Sequence, residues 1–256
     1  MNNTTNATNS LPRLNKAIAQ SGYCSRRAAD TLIFDGKVSV NGQVVTDPSR
    51  RLEPGDILSV NGTVLTHNAQ KFVYCIINKP THTVSTAYDP EGRTTVLDLL
   101  PDRYRPYRLY PVGRLDYFSE GLLILTNDGD LAYALTHPKY HLPKVYIVRI
   151  RGQITQKTLS AIQKGVLLDD GTHLPPVSAT ITHTDPNTTT LTLTLYQGIN
   201  RQIRKMCDAL DLTILRLVRI AEGPLTLGNL ATGACRDISK LELESLRSEI
   251  TRAKRT

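Results

Sequence analysis

Gly113-Arg114-Leu115-Asp116-Tyr117-Phe118-Ser119-Glu120-Gly121 is the densest polar cluster of the chain, and it runs straight into Leu122-Leu123-Ile124-Leu125-Thr126. The apolar run is a buried-strand candidate, closed by the turn Asn127-Asp128-Gly129. A polar loop held between an apolar segment, Leu109 to Val112, and a buried strand is a common place for functional side chains. Arg114 and Asp116 stand two apart, so in an extended chain they point to the same side. A carboxylate near a guanidinium stays ionised and so remains a nucleophile. By spacing alone the same pattern fits an ordinary turn carrying a surface ion pair.

Outward from this stretch the chain alternates strands with a few helices. Phe72 to Asn78 is a β-rich run, and a short helix follows Gly129 to about Thr136. Val145 to Arg151 is a strand, Leu159 and Ile162 lie on a helix, and Thr189 to Tyr196 alternates Thr with Leu as a half-buried strand does. Asn200 to Leu210 reads as a helix with Asn200 as its cap, and Ile214 to Ile220 as a strand. Ser239 and Glu242 form a capping box for the last helix. Strands with interspersed helices and no regular βαβ alternation point to an α+β domain with a mixed or antiparallel sheet.

Two further clusters carry polar groups in that domain. Asn200-Arg201-Gln202-Ile203-Arg204-Lys205 puts positive charge into the first turns of a helix, where it opposes the helix dipole. Arg216 and Arg219 follow on the next strand. Either an anion is bound there, or the face is simply solvated. Lys144 and Tyr146 place an amine and a phenol on one side of a strand, where packing is the ordinary use of a Tyr.

Upstream lies a smaller unit. Leu14, Ala17 and Ile18 keep helical spacing, Gly22 ends that helix, and Ser25 caps a second one bearing Ala29, Leu32 and Ile33. Gly36 stops the second helix. Val38 to Val40, Asn41-Gly42 and Gln43 to Val45 form a hairpin, because Asn-Gly accepts the positive φ of a type I′ turn. Pro54-Gly55-Asp56 turns the chain into a strand, Ile57 to Val60. Arg13, Lys16, Arg26 and Arg27 sit on the two helices before any acid appears, off the apolar stripes. They suit a phosphate-binding face, or a solvated helix surface. The expected organisation is a disordered tail over 1–10, a small domain over 11–63, a linker over 64–71, a large domain over 72–250 and a frayed basic tail over 251–256.

The 256 residues carry 31 Lys and Arg against 23 Asp and Glu, a net charge of +8, which favours polyanionic partners, nucleic acid first. No apolar run reaches the ~20 residues of a membrane span, and the Asn- and Thr-rich start lacks the basic and apolar segments of a signal peptide. Cys24, Cys75, Cys207 and Cys235 are scattered, which suggests buried thiols in a reducing compartment rather than a zinc site or disulfides. His137 and His141 are separated by Pro138 and make a poor metal pair. No metal site and no nucleotide-binding glycine loop is expected.

Several ordered motifs together resemble the RsuA/RluB-type ribosomal RNA pseudouridine synthases. They are Gly113-Arg114-Leu115-Asp116 with Ser119 to Leu123 and Thr126 to Gly129, Asn78-Lys79-Pro80, Asp89-Pro90-Glu91-Gly92-Arg93, Lys144-Val145-Tyr146, Asn200 to Arg204, Gly223-Pro224-Leu225, and Gly233 to Arg236. The small unit, through Leu14-Asn15-Lys16, Gly22, Ser25 to Ala28 and Gly36 to Gly42, resembles the αL RNA-binding domain shared with a small-subunit ribosomal protein. The resemblance covers Leu11 to about Leu246. It implies a largely antiparallel mixed sheet with a central cleft. It also implies Asp116 as catalytic aspartate, Tyr146 stacked on the target uracil and assisting a proton transfer, and Arg204 paired with Asp116. Ile203 would pack against the base, Arg114 would help extrude the uridine, and Lys144, Asn200 and Arg201 would hold substrate. Arg13, Lys16, Ser25, Arg26 and Arg27 would contact RNA. Ile199, Ile203 and Tyr117-Phe118 depart from the residues common in such enzymes and bear on the target nucleotide rather than on the chemistry.

The function so implied is isomerisation of a uridine in large-subunit (23S) ribosomal RNA by a cytoplasmic, monomeric, cofactor-free enzyme. The same reaction on small-subunit (16S) RNA and a non-catalytic RNA-binding assembly factor are the alternatives. An intact set of Asp116, Tyr146 and Arg204 argues against the last, since a binding module has no use for it.

Overall fold

The computed structural model describes residues 11–65, 71–140 and 142–253. The proposed tail over 1–10, most of the expected linker, His141 and residues 254–256 lie outside the described residues. The chain divides into two units, one ending at Phe72 and the other beginning at Val73.

In the first unit the apolar spacing gives α1 (Leu14–Gln20) and α2 (Arg26–Phe34). Gly22 lies at positive φ after α1, and the Ser25 hydroxyl accepts from the Ala28 N–H at the start of α2. Asn41 (φ 54°) and Gly42 (φ 78°) make the two-residue turn between β1 (Val38–Val40) and β2 (Gln43–Val44). A second turn of the same kind, Asn61-Gly62, joins β3 (Leu58–Val60) to β4 (Thr63–Val64). The sheet order is β2-β1-β3-β4, all antiparallel. Val64, expected to open the linker, is therefore a strand residue, and Leu65 packs on the core of Leu14, Ile18, Ile33, Val38 and Val60. A two-residue strand has no period to read, which is why the second hairpin was not expected.

The second unit is built on a nine-stranded sheet. Its strands in chain order begin with β5 (Tyr74–Lys79), β6 (Tyr110–Val112), β7 (Glu120–Thr126) and β8 (Lys144–Arg151). A separate two-stranded ribbon follows, β9 (Val166–Leu167) and β10 (His173–Leu174). The sheet then takes β11 (Ser178–Thr184), β12 (Thr188–Leu195), β13 (Ile214–Glu222), β14 (Leu225–Thr226) and β15 (Cys235–Asp237). The order is β11-β12-β8-β13-β7-β5-β15, with β14 beside β13 and β6 beside β7. Every pairing is antiparallel except β13 with β7, which joins two antiparallel halves through Val218↔Glu120 and Arg219↔Gly121. The close approach there needs glycine: a Cβ on Gly121 (φ 107°) would lie 2.2 Å from the Arg219 carbonyl oxygen.

Four helices pack on the sheet: α3 (Gly129–Thr136), α4 (Gln156–Lys164), α5 (Gln202–Asp208) and α6 (Lys240–Ala253). Asp128 caps α3 by accepting from the N–H groups of Asp130 and Leu131. The Ser239/Glu242 box forms in both directions, and Arg236 clamps the Glu242 carboxylate with two bonds of 2.9 and 2.7 Å. Two expectations are corrected. Asn200 does not cap α5; Arg201 occupies that position in the left-handed conformation (φ 53°) with no side-chain cap. Arg252, expected to be frayed, lies within α6. Of the four thiols only Cys75 and Cys207 are buried; Cys24 and Cys235 are half-exposed because each sits near the end of an element. No helix among the described residues is long and apolar enough to cross a membrane.

Candidate active site

The polar loop is held from beneath by a lysine. Lys79 closes β5 with no exposed surface, and its ammonium donates to the carbonyls of Pro80 (2.9 Å), Asp116 (3.1 Å) and Ser119 (2.8 Å). Burial pushes Lys79 down to about 8, opposed by the negative charges of Asp116 and Glu120. Ser85 brackets the same loop, accepting from the Leu115 N–H and donating to the Leu115 carbonyl. The Ser119 N–H donates back to the Asp116 carbonyl, closing a turn, and the His82 N–H donates to the Tyr117 carbonyl. The backbone of Asp116 is thus fixed by neighbours on both sides while its carboxylate stays partly exposed.

That carboxylate faces α5. Arg204 Nε lies 3.4 Å from Asp116 Oδ2, an ion-pair separation without hydrogen-bond geometry, and Arg204 Nη2 donates to Ser119 Oγ at 3.2 Å. Arg114, two residues from Asp116, is exposed on the cleft wall. Helix α5 follows β12 after the six residues Tyr196 to Arg201, the last of them left-handed, and its first turn carries Arg204 to the loop.

Asp116 opens into a cleft of about 1070 Å³. Arg114, Lys144, Tyr146, Asn200, Arg201, Ile203 and Arg204 all line it, so the structure brings together every residue expected at the site in the large unit. Tyr146 is half-buried on β8 between two apolar clusters, and burial raises its phenol above the ordinary range. Ile203 is buried, while Asn200 and Arg201 are exposed.

Some cleft groups were not legible in the sequence. Arg219, read as part of a basic strand face, is only 3% exposed; its Nε donates to the Leu122 carbonyl at 2.7 Å and its Nη2 lies 3.3 Å from Glu222. Residues three apart on a regular strand face opposite ways, but a bulge between Arg219 and Ala221 brings both to one side, opposite Tyr146 and Lys144. Lys144 sits 3.9 Å from Glu222, and burial lowers its pKa against that charge. Arg216, expected beside Arg219, instead makes a two-bond pair with Glu120. Gln202 is buried with neither amide atom partnered. The signal for Arg219 and Glu222 was the bulge, which leaves no mark in a periodic pattern.

The groups expected to touch RNA in the small unit are placed less uniformly. Arg13, Arg26 and Arg27 are exposed, Lys16 is half-buried, and the Ser25 hydroxyl is engaged in capping α2. His137, the first of the doubtful metal pair, packs its ring against Tyr133 and Tyr140, and its Nδ1 accepts from the Lys139 N–H.

With that geometry established, similarity to known proteins is informative. Residues 73–209 match the RNA pseudouridylate synthase family, and residues 12–58 match the S4 domain. An uncharacterized RNA pseudouridine synthase of Aquifex aeolicus is 40% identical over 91% of this chain and 93% of its own. The ribosomal large subunit pseudouridine synthase B of Bacillus subtilis is 38% identical over 93% of this chain and 96% of its own. A crystal structure of a pseudouridylate synthase superposes with a TM-score of 0.65 at 27% identity, covering 91% of this chain and 99% of that one. These similarities extend over nearly the whole chain, the S4 domain included, and the chain belongs to the RNA pseudouridine synthase family of isomerases.

Proposed function

We propose that this enzyme converts a uridine of large-subunit ribosomal RNA to pseudouridine with Asp116 as nucleophile. The observation that carries the reading is the Asp116 carboxylate, partly exposed in the cleft and facing Arg204 at 3.4 Å. The choice of the large subunit follows the relative from Bacillus subtilis, whose name specifies it.

The reaction breaks N1–C1′, joins C5 to C1′, moves the C5 proton away and leaves N1 protonated. Atoms and electrons balance within the nucleotide, so no oxidant or cosubstrate enters. Asp116 adds either to C6 of the base or to C1′ of the sugar; both routes need the same carboxylate within reach of the same nucleotide. The guanidinium of Arg204 offsets charge on that carboxylate and fixes its direction, with Ser119 as a second anchor. A uridine stacked in a helix is out of reach, so the nucleotide flips into the cleft. There Tyr146 offers an aromatic face to the uracil, and Ile203 packs beside it. The detached base must turn before it rejoins the sugar, which a walled cleft permits without losing it. Arg114, at the exposed rim, is placed to fill or hold the gap left in the RNA, while Lys144, Asn200 and Arg201 hold the strand. Arg13, Lys16, Arg26 and Arg27 of the S4 domain add phosphate contacts that do not depend on sequence.

The test is a map of pseudouridines in ribosomal RNA from cytoplasm with and without this protein. Loss of one site in 23S RNA supports the reading. Loss confined to 16S RNA moves the target, and an unchanged map of both removes the ribosomal assignment.

A further inference from the structure

Three rings cluster beside the nucleophile loop, and one of them, Tyr117, lines the cleft. His82, Tyr117 and Phe118 meet edge to face in pairs, with centroids 5.1 to 5.5 Å apart and interplanar angles of 80 to 89°. The group is built rather than incidental. The His82 backbone is held at φ 58°, an uncommon conformation for a residue with a side chain, and its N–H donates to the Tyr117 carbonyl at 2.8 Å. Tyr117 lines the cleft, yet Phe118 turns outward and is 56% exposed. Two further exposed rings, Tyr88 and Tyr196, line the cleft itself.

We propose that the exposed face of Phe118, braced by Tyr117 and His82, is a stacking site for the nucleobase immediately next to the target uridine. This rests on the reading that the cleft receives a uridine from RNA. The distances fit. Phe118 is two residues from Asp116, so its backbone lies within about 7.6 Å of the nucleophile's, whereas adjacent bases on a strand are about 3.4 Å apart when stacked and farther when splayed. Flipping one nucleotide strips its neighbour of a stacking partner, and an aromatic face beside the nucleophile loop takes that partner's place. The occupant is a base rather than an apolar peptide because Tyr117, the ring that braces Phe118, lines the cleft that takes RNA, on a chain of net charge +8. Stacking tolerates any base, so the site adds affinity and fixes the flanking strand without reading its sequence.

The experiment measures the dissociation constant of the full chain for a large-subunit ribosomal RNA transcript, over a range of salt, for wild type, Phe118→Ala, Phe118→Leu and Phe118→Tyr. Stacking requires a π face, so Ala and Leu should both weaken binding roughly 5- to 150-fold, and Tyr should bind as wild type does. The slope of log affinity against log salt should stay unchanged, because every phosphate-binding group is still present. Wild-type affinity in Phe118→Ala overturns the proposal. So does wild-type affinity in Phe118→Leu, which would assign the residue to plain apolar packing. Pseudouridine formation by the wild-type protein on the same transcript is recorded in parallel. Failure there counts against the activity reading, while the Ala, Leu and Tyr comparison still decides the stacking site.

Discussion

Replacing Gly121 by Ala adds one methyl group at the seam between the two halves of the sheet. The new Cβ would lie 2.2 Å from the Arg219 carbonyl oxygen, 2.7 Å from its nitrogen and 2.9 Å from its carbonyl carbon. Carbon contacts settle near 3.5 Å, so β13 must recede by about 1 Å at this point. The seam is short, with Val218↔Glu120 and Arg219↔Gly121 as its register, and the Arg219 side chain also bonds to Leu122 across it. Receding therefore strains the pairing and the buried guanidinium together. Overpacking of this kind costs about 1–3 kcal/mol, and a side chain at φ 107° adds about 1–3 kcal/mol. The sum, roughly 2–6 kcal/mol, corresponds to about 5–20 °C in the midpoint of a domain this size. Gly113→Ala is the control: it also has positive φ (72°), but its Cβ would meet nothing closer than 3.9 Å, so only the backbone strain remains. Thermal unfolding followed by far-UV circular dichroism compares the two. A Gly121→Ala midpoint within about 2 °C of wild type, or no lower than that of Gly113→Ala, would refute the role given to this seam.

Lys79→Met removes the donor to the carbonyls of Pro80, Asp116 and Ser119; Asp116 keeps the Ser119 N–H, and a buried carbonyl left unpaired costs about 1–3 kcal/mol. Turnover should fall by more than tenfold at saturating RNA, with ribosomal RNA affinity nearly unchanged; a loss of affinity alone would contradict the clamp. Glu242 is held down to about 2, first by the Arg236 hydrogen bonds, from an ordinary 4.5. A depressed carboxylate contributes stability above its unfolded value and loses it as pH falls from 4.5 towards 2. Discounted for partial exposure, the contribution is about 1–2 kcal/mol. Acid titration of unfolding should show that loss in the wild type and a flatter profile in Glu242→Gln; parallel profiles would count against it. Changing Arg13, Lys16, Arg26 and Arg27 together to Gln should reduce the salt slope of RNA binding by roughly one unit for each phosphate no longer neutralised, and an unaltered slope would return those side chains to an ordinary solvated surface.

Local chemistry was legible in the sequence wherever one short segment decided the outcome. Asn41-Gly42 forms its turn, Thr189 to Leu195 its half-buried strand, Ser25 its cap, and Ser239 with Glu242 its box. Pairings between distant segments were not legible. Nothing in Cys235-Arg236-Asp237 announces a strand that will pair with β5 some 160 residues earlier, and nothing in Arg219 announces burial. The left-handed Arg201 went unseen because Asn200 beside it is the better cap by composition. At the site, spacing offered Arg114 as partner for Asp116. The similarity of the Asn200 to Arg204 motif to known enzymes offered Arg204, and the fold places Arg204 there across 88 residues of chain. Lys79 sat within a recognisable motif, but its part in holding the loop depends on three carbonyls that meet only in the folded chain.

The central claim is that Asp116 is the nucleophile, and Asp116→Asn tests it most directly. The amide keeps the size of the side chain and leaves the Lys79, Ser85 and Ser119 contacts to the loop backbone in place. Purified wild-type and variant proteins, each in excess over unmodified ribosomal RNA, are followed through a single turnover, with product scored by nucleoside analysis. Pseudouridine should form with the wild type and stay at background with Asp116→Asn, while both bind the RNA with similar affinity. Product at a wild-type rate from Asp116→Asn would contradict the account.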